Sequence, residues 1–265
     1  MIIVGELINA SRKAVGEAIK QGDSDFIKKL AIDQTEAGAT YIDVNAGIFV
    51  GKEGDYMEWL IKNIKEVTKL PISIDSPDPN VIERGIALNG NDAMINSISL
   101  EQKRLDTILP LIAGTDLKVV ALCMDDEKMP ETKEDRLKIA DILINKLIQK
   151  GVKIENIYVD PLVQPISTDI TYGKGFIDTV EAIMENYQGI HTICGLSNIS
   201  FGLPERKFLN RNFAVMAISK GLDSLLIDPL DKKMMSNICA AETLIGRDNF
   251  NVQYLKAFRK KKLEV

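Results

Sequence analysis

Six short, mostly apolar runs in this 265-residue chain contain or end on Asp or Asn, and this repetition strongly constrains the fold. In a barrel of parallel strands, the carboxyl ends of all strands lie on one rim, where such enzymes place their functional residues. The runs are YIDVN, ISIDS, AMINS, IYVDP, CGLSN and LLIDP, beginning at residues 41, 72, 93, 157, 194 and 225. The polar side chains expected on the rim are Asp43, Asn45, Asp75, Asn96, Asp160, Ser197, Asn198 and Asp228.

Helical patterns alternate with short apolar segments along the whole chain. Strands are predicted over residues 2–8, 40–44, 72–75, 93–97, 118–122, 156–159, 191–194 and 223–227. Helices are predicted over 24–37, 56–68, 79–88, 101–113, 132–149, 175–187, 211–220 and from about 231 onward. The length is near the ~250 residues usual for a barrel with eight such units. The pattern therefore predicts an α/β fold, a single (β/α)8 TIM barrel that forms one domain over residues 1–265.

A doubly wound open sheet is the alternative fold, because it has the same alternation of strands and helices. Such a sheet is expected to carry a glycine-rich GxGxxG turn after its first strand, and the sequence lacks one there. Polar residues also end the strands along the whole series, whereas an open sheet concentrates its site at one crevice. The closed barrel is the favoured prediction.

Charge and hydropathy limit the partners of the protein. A net charge of -5 and a pI near 5.2 disfavour nucleic acids and anionic membranes, which both need a basic surface. No stretch approaches the ~20 apolar residues that cross a bilayer, and the N-terminus lacks a signal pattern. We expect a cytoplasmic protein that binds neither nucleic acid nor membrane.

Metal chemistry based on nitrogen or sulfur ligands has little support in the sequence. Cys123, Cys194 and Cys239 are widely spaced in apolar surroundings and are expected to be reduced core residues. The single histidine, His191, opens a predicted strand and is expected to have a structural role at the end of the barrel away from the rim. We expect no bound metal ion, because zinc or non-haem iron would lack ligands.

Two other kinds of barrel enzyme fit the rim less well. A Schiff-base aldolase needs a lysine at a strand end, but Lys118 begins its strand. A metal-dependent lyase would bind a cation through Asp43, Asp75 and Asp160 and use a lysine or histidine base, which the rim lacks. It is retained as a less favoured alternative.

A carboxylate buried without a metal ion needs hydrogen-bond donors, preferably on two adjacent nitrogens. The 2-amino-4-oxopyrimidine edge of a pterin offers such a pair. Asn96 can serve the remaining donor and acceptor positions, because an amide does both. The competing interpretation is structural, since Asp and Asn at strand ends also cap helices and form turns.

Several segments together resemble the pterin-binding barrel of the methyltetrahydrofolate:corrinoid methyltransferases, including those that act on the corrinoid/iron-sulfur protein. They are GELIN, DVNAG, ISIDSPDP, AMINSIS, YVDPLVQP and GLSNISFGLPERKFLNRNF. The folate module of cobalamin-dependent methionine synthase contains similar segments. The resemblance extends from Gly5 to about Gly221, and the order and spacing of the segments make it specific.

This resemblance implies that the protein is a homodimer and an enzyme. It would transfer methyl between N5 of tetrahydrofolate and the cobalt of a corrinoid on a separate protein. The matching pterin-holding positions are Asp75, Asn96 and Asp160, and Asn198 matches the amide that reaches N5 and acts in catalysis. The remaining substrate-binding positions implied by the resemblance are Gly195, Ser197 and Arg206, with Asn210 nearby.

Some features depart from the family or leave alternatives open. The chain has no DxHxxG corrinoid-binding motif, so the corrinoid is expected on a partner protein. A dihydropteroate synthase-like enzyme is a second possibility, but its NxTxDSF opening is absent where this chain reads NASRKA. A third is a non-catalytic folate-binding module of a larger methyltransferase complex.

Overall fold

The computed structural model describes residues 1–264, which contain one parallel sheet of eight strands. Each strand is short, and its side chains alternate between the barrel interior and the surrounding helices. The strands are β1 (Ile2–Asn9), β2 (Tyr41–Asn45), β3 (Ile72–Asp75), β4 (Met94–Ile98), β5 (Lys118–Leu122), β6 (Ile157–Asp160), β7 (His191–Thr192) and β8 (Ser224–Ile227).

The sheet closes into a barrel. Its strands are ordered β7-β6-β5-β4-β3-β2-β1-β8, and every pair is parallel. The last gap is bridged where Leu226 N donates to Cys194 O over 2.9 Å and Gly195 pairs with Leu226. The predicted (β/α)8 barrel is confirmed, and the open sheet is not observed. The seventh strand is shorter than predicted because the chain turns away after Gly195 into a 3-10 turn over Leu196–Ser200.

Helices cover the outside of the barrel. Their bounds are α1 (Lys13–Gln21), α2 (Ser24–Ala37), α3 (Glu53–Val67), α4 (Pro79–Asn89), α5 (Gln102–Ile112), α6 (Lys133–Gln149), α7 (Tyr172–Asn186), α8 (Arg206–Ser219), α9 (Lys232–Leu244) and α10 (Val252–Arg259). The predicted helices are all present, although α8 begins five residues before the predicted 211. The sequence analysis missed α1 and α10, which are short and lie outside the strand–helix alternation.

Local sequence signals explain where several helices begin and end. The Asp23 side chain accepts a hydrogen bond from Phe26 N over 3.0 Å at the start of α2, and Gly38 ends this helix at φ 109°. Thr132 and Asp135 form a reciprocal capping box at the start of α6. These caps fix the helices that follow the strands and therefore fix the loops of the rim.

The barrel interior changes character along its axis. Its amino-terminal half is filled by apolar and aromatic side chains, namely Val4, Tyr41, Met94, Val120, Tyr158 and Ile193. Two residues further along several of the same strands, the inward side chains become Glu6, Asp43, Asn96 and Asp160. The apolar layer closes the barrel below, so the polar groups face only the carboxyl-end opening.

His191, Cys123 and Cys194 lie where the sequence indicated, whereas the prediction that Cys239 is a core residue is wrong. His191 is at the amino end of β7, where Nδ1 lies 2.6 Å from Asp223 Oδ2 and the ring stacks on Tyr158. Cys123 and Cys194 are buried free thiols, whereas Cys239 is only partly buried. No helix among residues 1–264 is long and apolar enough to span a membrane.

Candidate active site at the barrel mouth

Three neighbouring strands bring together polar residues at or near their carboxyl ends, at the barrel mouth. Asn45 on β2 lies beside Asp75 on β3, and Asp75 lies beside Asn96 on β4 in the sheet register. Asn45 Nδ2 donates to Asp75 Oδ2 over 2.8 Å, which fixes the orientation of the carboxyl group. The register therefore places three predicted rim residues side by side.

Asp43 lies below this row and is almost fully buried, with 2% of its surface exposed. Its Oδ1 accepts hydrogen bonds from Ser73 Oγ at 2.7 Å and from Asn96 Nδ2 at 3.3 Å. Burial, reinforced by the nearby Asp75 charge, raises the pKa of the Asp43 carboxyl well above its usual range. Asp43 thus holds the Asn96 amide from below.

Asp160 closes the group from the other side of the mouth. Its carboxyl retains some solvent access, but the surrounding protein desolvates it and raises its pKa to about 7. The backbone N–H groups of Leu162 and Gly195 partly offset this rise, and Leu162 N lies 2.8 Å from Oδ1. Burial also raises the pKa of Asp75, which the Asn45 amide partly offsets.

These residues form a set that we call the acidic side: Asp43, Asp75, Asn96 and Asp160. Asn96, Asp160 and Gly195 also line one interior cavity of about 20 Å³, together with residues of the apolar layer below them. The carboxyl groups offer more acceptor atoms than the surrounding protein offers donors, so the acidic side suits a ligand rich in N–H groups. No group of three or more His, Cys, Asp or Glu side chains within residues 1–264 is arranged to hold a metal ion.

Two arginines brace the loops that carry the acidic side. Arg104, in the first turn of α5, donates to the carbonyls of Ser97, Pro77 and Ser76 over 2.7, 2.9 and 2.8 Å. It thereby ties the ends of β3 and β4 together. Arg136, in the first turn of α6, is fully buried. It donates to Pro161 O and Gln164 Oε1 in the segment after Asp160.

The sequence analysis did not identify either arginine. Each lies in a helical pattern, where a charged residue is ordinarily assigned to the solvated face. A basic residue in the first helical turn, where the helix dipole disfavours it, was the only available signal.

Next to Asp160, residues 195–200 follow β7 and form a segment that we call the β7 loop. Asn198 is exposed, and a Cβ placed on Gly195 would lie 3.8 Å from Asn198 Nδ2. The backbone of Asn198 fixes the turn, because Asn198 N donates to Gly195 O and Asn198 O accepts from Phe201 N. The side-chain amide takes no part in those bonds and is available to a ligand.

Arg206 fixes the far end of the β7 loop. Its Nη2 donates to Ser197 O over 2.7 Å and its Nε to Ser200 Oγ over 3.1 Å. The guanidinium also lies 5.7 Å from the ring centre of Phe201. In this structure Ser197 contributes its carbonyl to the loop, and Arg206 acts as a brace comparable to Arg104 and Arg136.

A cleft of about 340 Å³ adjoins the β7 loop. Residues of both signs line it, including Glu6, Arg12, Ser197, Arg206, Asn210 and Asp228. Asn210 Oδ1 is buried without a hydrogen-bond partner among the described residues. Asp228 accepts from Leu230 N over 2.8 Å, so it also serves as the turn former that the structural interpretation anticipated.

The chain is similar in sequence to pterin-binding proteins. A family model described as pterin binding enzyme matches residues 5–228. The chain is 37% identical over 265 residues to a methylcorrinoid:tetrahydrofolate methyltransferase of Eubacterium limosum, covering 99% of this chain and 98% of the relative. It is 32% identical over 241 residues to methionine synthase of Mycobacterium tuberculosis, covering 86% of this chain and 20% of that protein.

Solved structures with the same fold include dihydropteroate synthases. The Yersinia pestis enzyme in complex with a sulfonamide drug superposes with a TM-score of 0.71 at 14% identity, over 92% of this chain and 93% of that one. The Anaplasma phagocytophilum enzyme with bound 6-hydroxymethylpterin-monophosphate has a TM-score of 0.68 at 18% identity, over 92% of this chain and 99% of that one. At these identities the likeness concerns the fold alone.

Proposed function

The chain belongs to the pterin-binding enzyme family, and from that premise we propose that it is a methyltransferase. It moves the N5-methyl group between methyltetrahydrofolate and the cobalt of a corrinoid carried on a separate protein. The whole-length match to the Eubacterium limosum methyltransferase supports this activity over pterin condensation. Residues 1–265 would act as one pterin-binding domain, and tetrahydrofolate and corrinoid would both be substrates.

The acidic side binds the pterin in this proposal. Asp160 and Asp75 accept hydrogen bonds from the amino group and ring N–H groups, and Asn96 pairs with a remaining donor and acceptor. The observation that carries this assignment is the sheet register, which places Asn45, Asp75 and Asn96 side by side at the ends of neighbouring strands.

Asn198 acts on the reacting nitrogen. In the transfer to cobalt(I), the N5–CH3 bond breaks while a cobalt–carbon bond forms, and N5 keeps the electron pair and gains a proton from solvent. Cobalt(I) is oxidised to methylcobalt(III); the reverse transfer returns it to cobalt(I). A tertiary amine leaves poorly, so a hydrogen bond from the Asn198 amide that strengthens in the transition state accelerates the step. Ser197 and Arg206 position this amide through the β7 loop.

We extend the proposal to the setting of the protein. It acts in the cytoplasm as a homodimer, together with a corrinoid-carrying protein and without nucleic acid or membrane. The buried free thiols Cys123 and Cys194 support a reducing compartment.

The test is to mix the purified protein with methyltetrahydrofolate and free cob(I)alamin and to record the visible spectrum. We expect conversion to methylcobalamin, and loss of methylcobalamin when it is mixed with tetrahydrofolate. Tight folate binding without conversion in either direction would instead support a binding module. Incorporation of p-aminobenzoate into a pterin product would support a dihydropteroate synthase.

A further inference from the structure

The segment that follows Asp160 contains a residue with unusual backbone geometry. Leu162 has a φ of 64°, in the left-handed region that residues with a side chain adopt only at a cost. Its N–H is the group that donates to Asp160 Oδ1 over 2.8 Å. A hydrogen bond to a carboxylate of the acidic side therefore comes from a backbone that is held out of its preferred conformation.

The residues on both sides of Leu162 are fixed by the rest of the barrel. Asp160 O accepts from Cys123 N over 2.9 Å, which holds the chain before Leu162 against the end of β5. Val163, immediately after Leu162, is buried and belongs to an apolar cluster that includes residues of α7 and α8. A strained backbone persists where its surroundings determine it, and both contacts contribute to that.

Arg136 supplies a contact that spans Leu162. Its Nε donates to Pro161 O over 2.9 Å and its Nη2 to Gln164 Oε1 over 2.6 Å, so one guanidinium holds the chain before and after Leu162. Its Nη1 donates to Glu131 O over 3.1 Å, which fixes the guanidinium to the segment before α6. A planar group with five donors can hold such acceptors in one geometry. We call Arg136 and these acceptors the Arg136 clamp.

The Arg136 clamp uses a charged group where charge adds little stability. Arg136 is fully buried, and its three acceptors are two backbone carbonyls and one side-chain amide. The guanidinium also lies 5.8 Å from the ring centre of Tyr172. Burying a cation costs free energy, and neutral acceptors offset this cost less than a carboxylate would. The main effect of the guanidinium is therefore on the geometry of the segment that it holds.

We propose that Arg136 is a positioning residue for pterin binding, because the Arg136 clamp holds Leu162 in the left-handed conformation that aims its N–H at Asp160. The N–H fixes the orientation of the carboxylate and favours its ionised form, which accepts hydrogen bonds from the pterin. This inference rests on the pterin contact of Asp160 in the proposed function and identifies the group that prepares Asp160 for it.

The ionisation of Asp160 reports whether the Leu162 hydrogen bond is present. Burial raises the pKa of Asp160 to about 7, and the N–H groups of Leu162 and Gly195 lower it. The neighbouring thiols of Cys123 and Cys194 also interact with Asp160, and burial, followed by the Asp160 charge, raises the pKa of both. Both thiols therefore stay neutral near pH 7, and loss of the Leu162 N–H should raise the pKa of Asp160.

The first test follows the Asp160 carboxyl of the ligand-free protein by carbon-13 NMR over a pH series, with aspartate labelled at Cγ. The Asp160 signal is the one that Asp160→Asn lacks. Its midpoint should lie near pH 7 in the wild type and about half to one pH unit higher in Arg136→Lys. A lysine keeps the charge but cannot hold both sides of Leu162. Asp43 and Asp75, across the mouth, are unchanged in this variant.

Substitutions of Leu162 test whether its backbone connects Arg136 to Asp160. Glycine adopts a positive φ without steric cost, so Leu162→Gly should return the midpoint of Arg136→Lys toward 7. Tetrahydrofolate affinity, measured by calorimetry, should fall about tenfold in Arg136→Lys and recover by roughly threefold or more when Leu162→Gly is added. Leu162→Val should raise the midpoint with Arg136 intact, because a β-branched residue disfavours this region more strongly. It tests the same step if Arg136→Lys does not fold.

Arg104→Lys is the matched control, because Arg104 also holds backbone carbonyls at the mouth but at the ends of β3 and β4. It should keep the Asp160 midpoint, and Leu162→Gly should not restore its affinity. An unmoved midpoint in Arg136→Lys or Leu162→Val, or a raised one that Leu162→Gly leaves raised, overturns the role of the Arg136 clamp. A wild type that does not bind tetrahydrofolate contradicts the proposed function alone, because the midpoint is measured without ligand.

Discussion

The acidic side of the barrel mouth and the β7 loop face the same opening, but their polar groups are held differently. On the acidic side the ligand-facing groups themselves are tied down, as Asn45 holds Asp75 and Asp43 holds Asn96. In the β7 loop, Arg206 and the backbone fix the turn, and the Asn198 side chain stays out of those bonds. The first arrangement suits binding in a fixed geometry. The second suits a group whose hydrogen bond strengthens during reaction.

Replacing Asp160 by asparagine should give the largest effect and should affect binding. The variant loses the charge and presents N–H groups to a donor-rich edge, so tetrahydrofolate affinity should fall about 100-fold at pH 8, or about 3 kcal/mol. Calorimetric titration would measure this change. Asp228→Asn, the same substitution on the opposite side of the mouth, should alter affinity less than threefold. Equal losses in the two variants would show that the acidic side has no special role in binding.

The same Asp160→Asn variant should stabilise the free protein. The pKa of Asp160 is raised from its unfolded value of 3.8 to about 7. The folded state therefore loses stability as the pH rises from the unfolded pKa to the folded pKa. After allowance for the partial solvent access of the carboxyl, the gain in unfolding free energy at pH 8 should be about 1–3 kcal/mol. It should shrink toward pH 4. Denaturant unfolding at both pH values would measure the gain, and no gain at pH 8 would argue against a costly buried charge.

The sequence predicted more of the acidic side than of the arginines that hold its loops in place. Strand endings follow from apolar runs, and the closed barrel then fixes where Asp75, Asn96 and Asp160 meet, so their gathering was predictable. The sequence did not reveal Arg104 or Arg136, because most of their partners are backbone carbonyls, which no pattern of side chains marks. Helix α10 was missed for a different reason. None of its residues is buried, and it follows the last strand–helix unit, so the strand–helix alternation gave no place for it.

Replacing Asn198 by alanine should separate the two sides of the mouth most clearly. The methyl transfer rate should fall more than tenfold, about 1.4 kcal/mol or more of barrier, because the amide acts on charge that develops at N5. Tetrahydrofolate affinity should change less than threefold. Stopped-flow spectra with cob(I)alamin give the rate and titration gives the affinity. Asn212→Ala, an exposed amide on α8, is the control. A loss of affinity as large as the loss of rate would assign Asn198 to binding instead.

The pH dependence of binding should follow the acidic side. A pterin that donates to Asp160 favours the ionised carboxylate, so binding lowers its pKa and releases a proton below pH 7. Affinity for tetrahydrofolate should therefore weaken by up to tenfold for each pH unit below about 7 and level off above it. Titrations in buffers of different ionisation enthalpy would count the released proton. Asp160→Asn should remove this proton release, and its persistence there would assign the release to another group.

Replacing Arg104 by lysine should give the smallest effect. It tests whether a side chain that does not contact the pterin affects tetrahydrofolate binding by holding the strand ends in place. A lysine can satisfy only part of the bonding to the carbonyls of Ser76, Pro77 and Ser97, so Asp75 and Asn96 should lose their fixed spacing. Tetrahydrofolate affinity should fall about three- to tenfold, about 1 kcal/mol. Arg84→Lys, on the outer surface, should leave affinity unchanged.

Charge and bracing can be separated by comparing Arg104→Lys with Arg104→Met. The Arg104 charge lowers the pKa of Asp75, so only the methionine variant should raise that pKa and add a second, Asp75-dependent loss of affinity at acidic pH. Both variants should lose affinity if the bracing holds the acidic side in place. Unchanged affinity in the lysine variant, together with the added acidic loss in the methionine variant, would mean that Arg104 acts through its charge alone. The acidic side would then owe its geometry to the hydrogen bonds of Asn45 and Ser73.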